Sequence, residues 1–130
     1  MLNKKTAAAI ASVDYRDDSM KVKRIYTAWD NRKDEGTLVR GLEHLFSAGV
    51  RPDHVMVYML IGFWPGETEE DWIYRQARLR KLGVRPYPMP FRRTHEAIGF
   101  QRWVVRRYDL NVPWEAFKAA RFRPEHLGLN

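Results

Sequence analysis

At 130 residues the chain has room for one hydrophobic core and little for a second. Its 45% hydrophobic and 13% aromatic content excludes a disordered tail, and a net charge of +7 leaves anionic partners open. The absence of cysteine excludes disulfides, thiolate zinc sites, cysteine nucleophiles and any cysteine-ligated iron–sulfur cluster held by this chain alone.

No stretch approaches the ~20 apolar residues of a membrane-spanning helix. The start, MLNKKTAAAIASV, has Lys4 and Lys5 before an alanine run, but it leads into the charged DYRDD with no convincing signal-peptide cleavage site. A cytoplasmic protein without membrane contact is expected.

Asn3 to Val13 reads as an alanine-rich helix, ended by the turn formers of DYRDDS. Lys23 to Trp29, rich in β-branched and aromatic residues, reads as a strand closed by Asp30 and Asn31. Leu38, Val39, Leu42, Leu45 and Phe46 then recur at helical spacing, with Thr37 as the expected cap and Gly49 past the end.

Val55 to Phe63 is a continuous apolar run, as in a parallel strand covered on both faces. Pro65-Gly66 breaks it. Thr68 is placed to cap a helix to Leu82, with Glu69, Glu70 and Asp71 in the first turn, where the macrodipole favours anions. Val84 to Phe91 is a third extended segment, and its prolines at 86, 88 and 90 would deny ladder donors, so an edge strand or a short one is expected. Glu96 to Arg107 reads as a helix, and Pro113 opens another before the tail FRPEHLGLN.

The quartet GVRP occurs after a helix and before a strand twice, at Gly49 and at Gly83. That interval suits a strand, a helix and two loops. The order αβαβαβ with right-handed crossovers predicts an α/β fold of about three parallel strands, near residues 23–29, 55–62 and 84–88, followed by C-terminal helices.

Ligand groups in such folds gather in the loops after the carboxyl ends of the strands. There Asp30 could accept hydrogen bonds from sugar hydroxyls or cap a turn, and Gly62 and Gly66 could admit a ligand close to backbone or serve a strand-to-helix bend. The acidic trio reads as helix-start charge, not a metal site. The histidines at 44, 54, 95 and 126 have no ligand spacing, so no metal residue is assigned. Hydrolase elbows and phosphate loops are absent. From Arg75 to Arg107 ten Lys or Arg residues face one acid, Glu96, amid Tyr87, Phe91, Phe100 and Trp103. Such a stretch can bind nucleic acid. It also reads as the solvated face of a helix at Arg75, Arg78, Arg80 and Lys81.

The segment YMLIGFWPGETEED, Tyr58 to Asp71, resembles the fifth-strand region of radical S-adenosylmethionine enzymes. RIYTAWDNRKDE upstream and YRQARLRKLGVRPYPMPF and FQRWV downstream resemble the same family's C-terminal half. The resemblance implies a partial (βα) barrel fragment, with residues 1–110 as the C-terminal half of the barrel and 111–130 as a C-terminal helix and tail. In that family three cysteines of a CxxxCxxC loop hold a [4Fe–4S] cluster, S-adenosylmethionine chelates its unique iron, and reduction releases a 5′-deoxyadenosyl radical.

This chain has neither that loop nor the strands before it, so neither cofactor is expected to bind well to it alone. By resemblance Asp30 and Asn31 contact the ribose and methionyl part of the cofactor, while Leu60, Ile61 and Gly62 line the adenine. Trp64 adds a residue to the family's spacing before Pro65-Gly66-Glu67. Met89, Phe91 and Arg92 would face the pocket, and no residue of the chain is assigned a catalytic role.

Two functions follow. One is the C-terminal portion of a radical enzyme, inactive alone, with an N-terminal half carrying the cluster as its partner or with self-association through the open barrel edge. The other is a non-catalytic basic α/β module binding nucleic acid or a protein.

Overall fold

Val55–Ile61 forms the central strand, β2, of a three-stranded parallel sheet in the computed structural model, which describes residues 24–121. β1 (Ile25–Ala28) lies on one side and β3 (Arg85–Pro90) on the other, so spatial order follows chain order. Ile25 stands beside Val55, Ala28 beside Tyr58, Met56 beside Arg85 and Ile61 beside Pro90. The expected parallel order is present, and β3 is the expected edge strand. The helix expected at Asn3 to Val13 lies outside the described residues.

The prolines of β3, however, remove no ladder bond. Phe91 N–H donates to the Ile61 carbonyl at 2.9 Å, so the odd-numbered residues of β3 turn their backbone groups toward β2. Pro86, Pro88 and Pro90 turn theirs to the outer edge. There Gln101 Nε2 donates to the Pro88 carbonyl at 3.1 Å, and no strand can recruit a donor from proline.

Helices α1 (Glu35–Ser47), α2 (Glu69–Lys81) and α3 (His95–Val105) join or follow the strands, and α4 (Trp114–Arg121) closes the described chain. α1 starts before Thr37, the expected cap. Asn31 Oδ1 accepts the Lys33 N–H at 3.1 Å and starts a 3₁₀ turn, Arg32–Asp34, that runs straight into the helix. At α2, Thr68 is the cap as expected, and the Asp71 carboxylate reaches back to the Thr68 N–H at 3.2 Å.

Both GVRP quartets perform one operation. Gly49 (φ 100°) and Gly83 (φ 84°) turn the chain out of α1 and α2 through left-handed backbone. The following Val50 and Val84 donate to the carbonyls of Leu45 and Leu79 at 3.0 and 3.2 Å, and both valines are buried.

The helices cover one face of the sheet. Val55, Val57, Met59 and Ile61 of β2 are fully buried there against Leu38, Leu42, Leu45 and Leu79. An aromatic group extends this core toward α4: Phe100 lies 5.5 Å from Trp72, 5.3 Å from Trp103 and 5.2 Å from Trp114, ring centre to ring centre.

The opposite face carries Tyr26, Met56, Tyr58, Leu60, Tyr87 and Met89, all partly or largely exposed. Tyr26 stacks on Tyr58 at 5.7 Å, and Tyr87 meets Tyr58 edge-on at 5.5 Å, a ladder across all three strands. The apolar run therefore alternates between a covered face and an open one, where the sequence suggested cover on both. The C-terminal helices pack on the covered side. No described helix is long and apolar enough to cross a membrane.

Candidate functional site at the carboxyl ends of the strands

β1 delivers Trp29, Asp30 and Asn31 to the end of the sheet, and β2 delivers Gly62 to Glu67 beside them. Trp29 is buried, with its indole N–H on the Asn31 carbonyl at 2.7 Å. Asp30 Oδ1 accepts the Leu60 N–H at 3.0 Å, which extends the β1–β2 ladder with a side chain after the strand has ended. Trp64 Nε1 closes over the same turn by donating to the Asp30 carbonyl at 2.8 Å.

Glu67 organises the loop after β2. Its Oε2 accepts the Gly62 N–H at 2.6 Å and the Trp72 indole N–H, and its Oε1 accepts the Trp64 N–H at 3.1 Å. Gly62 (φ 76°) and Gly66 (φ 79°) supply the left-handed turns that fold the loop back on itself.

Arg75 reaches this loop from α2. The sequence placed it on a solvated helix face, but its residue is only 1% exposed. Its Nη1 donates to the carbonyls of Trp29 at 3.1 Å and Leu60 at 2.8 Å, and its Nη2 lies 3.5 Å from Glu67 Oε2. Burial pushes the guanidinium below its ordinary value, against the opposing charges of Glu67, Asp30 and Asp71. One planar fork thus ties the ends of two strands to the loop between β2 and α2.

Two further basic residues of α2 are also engaged. Arg78 pairs with Glu35 at 2.9 Å, and Arg80 pairs with Asp109 at 2.7 Å. The acidic trio splits: Glu69 accepts from Trp114 Nε1 at 3.0 Å and from Lys118 at 2.9 Å, while Asp71 pairs with Arg32 at 3.1 Å. Arg32 in turn lies 4.0 Å over the Tyr74 ring.

Between the two loops opens a cleft of about 350 Å³ lined by Asp30, Asn31 and Arg32 on one side, Trp64 to Glu67 on the other, and Asp71 and Arg75 at its base. Its size suits part of a small molecule, and its walls carry acceptors of both amide and carboxylate type beside a cation. Asp30 and Asn31 line it. Leu60 adjoins it through its backbone, Gly62 N–H is held by Glu67, and the Ile61 side chain is buried among the helices. Met89 and Phe91 lie on or beside the open face, with Phe91 4.8 Å from Phe63.

Trp64 and Glu67, which the sequence places in the loop after β2 without a role, and Arg75, which it places on a solvated face, all contribute to the site. A signal existed for Arg75, because it falls with Trp72, Gln76 and Leu79 on the buried stripe of α2.

The donor set does not fit an iron–sulfur cluster: the chain has no thiolate, and the described residues hold no group of three or more metal-ligating side chains. For an adenosyl group the fit is partial. The Leu60 N–H and carbonyl, the Ile61 carbonyl and the Gly62 N–H are bonded internally, which leaves the Leu60 side chain and the cleft wall of Asp30 and Asn31. Compared with family models, with curated proteins and with solved structures, the chain matches none.

Proposed function

We propose that this chain is the C-terminal portion of a radical S-adenosylmethionine enzyme, cytoplasmic and inactive by itself, whose cluster belongs to an N-terminal half. The observation that carries this reading is the one-sided sheet: three parallel strands, helices on one face, an aromatic inner face left open, and a polar cleft at the strand ends. A half carrying the cluster would supply S-adenosylmethionine chelation and the electron that cleaves it. This chain's residues would bind and orient. Asp30 and Asn31 present acceptors to sugar hydroxyls, the Leu60 side chain offers apolar contact on the open face beyond the cleft, and Arg75 with Glu67 keeps the loop after β2 in place.

Amide chemical shifts during titration with S-adenosylmethionine test the reading. Weak binding, with a dissociation constant of about 1 mM or above, is expected at Asp30, Asn31, Leu60 and Gly62. Anaerobic reconstitution should leave the isolated chain without iron or sulfide. Unchanged shifts at those four amides, or stoichiometric cluster uptake, would overturn it.

A second reading, a non-catalytic module that docks on a protein, is favoured by the same open face. Nucleic acid has less support, since Arg75, Arg78 and Arg80 are already paired internally.

A further inference from the structure

The sheet has two outer edges, and they differ. Prolines close the β3 edge. Among the described residues β1 pairs with β2 alone, and the Trp29 N–H bond to the Tyr58 carbonyl, 2.8 Å, sets the phase of its backbone. Ile25, Thr27 and Trp29 turn toward β2, so Tyr26 and Ala28 present N–H and C=O groups outward. α1 does not cover them: a groove of about 370 Å³, lined in part by Thr27, Ala28, Leu38 and Gly41, runs beside this edge.

We propose that two copies of the chain pair through this edge, antiparallel, with Thr27 on the two-fold axis. This gives the expected self-association through an open edge a strand, a register and an axis, and it rests on the sheet edge alone, not on the enzyme-fragment reading. In an antiparallel pair, residues directly opposite share a face, so an isologous pairing centres on a single residue. Centred on Thr27, it sets Tyr26 opposite Ala28 of the other copy, a large side chain against a small one. Those two residues are the ones whose backbone groups point outward, so each such pair exchanges both N–H···O bonds, and symmetry repeats the pair.

The same register sets Arg24 opposite Asp30 of the other copy at both ends. Arg24 stands near other cations: after burial, its charge and those of Arg107 and Arg80 lower Arg85. Asp30 accepts the Leu60 N–H through Oδ1, and a carboxylate has capacity for further donors. Centring on Tyr26 instead would oppose Tyr26 to itself and Arg24 to Ala28, forfeiting both charge pairs. The self-complementary order of β1, cation to anion with a tyrosine and an alanine between, selects a second copy over an unrelated strand. The result is one continuous six-stranded sheet with a doubled tyrosine face.

A chain without cysteine makes the test direct. Thr27 on the axis is a non-hydrogen-bonded pair with Cα atoms about 4.5 Å apart, within disulfide range. Thr27→Cys in the full chain, treated with diamide, should give a covalent dimer, while Val105→Cys, at the exposed C-terminal end of α3, should stay mostly monomeric. Arg24→Glu should weaken dimerisation about tenfold in sedimentation velocity, since two cross-strand charge pairs turn repulsive. The unsubstituted chain supplies a readout free of any folding defect: hydrogen exchange at the Tyr26 and Ala28 amides should slow as protein concentration rises. Concentration-independent exchange there, or a Thr27→Cys yield no greater than that of Val105→Cys, would overturn the pairing.

Discussion

The Arg75 guanidinium and the Leu60 carbonyl meet at 2.8 Å, a helix side chain holding the last backbone acceptor that the central strand turns toward β1. The same Nη1 takes the Trp29 carbonyl, so where the β1–β2 ladder stops, a cation continues it. Its counter-ion, Glu67, is equally enclosed, the two side chains being 2% and 5% exposed.

Breaking that pair from one side should therefore be costly. Glu67→Gln leaves Arg75 charged in a desolvated site and is expected to destabilise by about 3 kcal/mol in urea unfolding. Glu67→Gln combined with Arg75→Met should cost clearly less than the sum of the two single changes, which a double-mutant cycle would show.

The two GVRP glycines separate backbone strain from crowding. Both need positive φ, so alanine at either is strained. At Gly49 a Cβ would meet open space, and Gly49→Ala should cost about 1 kcal/mol. At Gly83 it would stand 3.2 Å from Pro52 Cβ, and Gly83→Ala should cost about 2 kcal/mol, read from thermal unfolding of the two variants side by side.

Acid should loosen the start of α2. Burial alone would raise the Glu69 carboxyl, but hydrogen bonds from Trp114 and Lys118 and the Lys118 charge hold it below its ordinary 4.5. At Asp71 the Thr68 N–H, then Arg32, hold the carboxyl below 3.8 against burial. Depressed native values give stability that is complete above the unfolded value and lost as pH falls through the folded one. Unfolding free energy should thus decline below about pH 4.5, with the Trp114 environment changing first, and Glu69→Ala should blunt the decline.

Alkali should act on the same helix from other groups. The hydrogen bond to Glu69 raises Lys118 above 10.5, and that from Tyr74 to Glu35 raises Tyr74 above 10.0. Raised native values give stability that is complete below the unfolded value and lost as pH climbs through the folded one. A second decline is expected above about pH 10, smaller than the acid one because these groups lie at the surface.

Asp30→Asn keeps an acceptor for the Leu60 N–H, and Asp30→Ala does not. The first should unfold within about 0.5 kcal/mol of the natural chain and the second about 1 kcal/mol lower, which isolates the ladder role of this carboxylate from its charge.

The strands and most helix limits were legible because they rest on local chemistry: an apolar run at Val55 to Ile61, turn glycines at 49 and 83, Thr68 before an acidic turn. What escaped the sequence depends on which neighbour a group meets. Arg75 lies on the stripe of Trp72 and Leu79, but its burial is sustained by carbonyls 46 and 15 residues away. The prolines of β3 could be judged harmless only once β2 lay on the side of the odd-numbered amides. The sequence shows the Asp30 carboxylate, but its bond to Leu60 exists only when β1 and β2 are in register. Glu67 is visible in the sequence as part of the Pro65-Gly66-Glu67 motif but its role is not, because its partners, Gly62 and Trp72, become neighbours only through the turn it builds.

The sheet order β1-β2-β3 repeats the order of synthesis. Each strand emerging from the ribosome finds its neighbour already made, one helix earlier in the chain, and no strand waits for a later one to be inserted beside it. The exception is the Glu69 carboxylate, which stays without Trp114 and Lys118 until α4 appears. Completion of α2 is thereby deferred to the last described helix, so a nascent chain stalled before Trp114 would carry a finished sheet and an unfinished second helix.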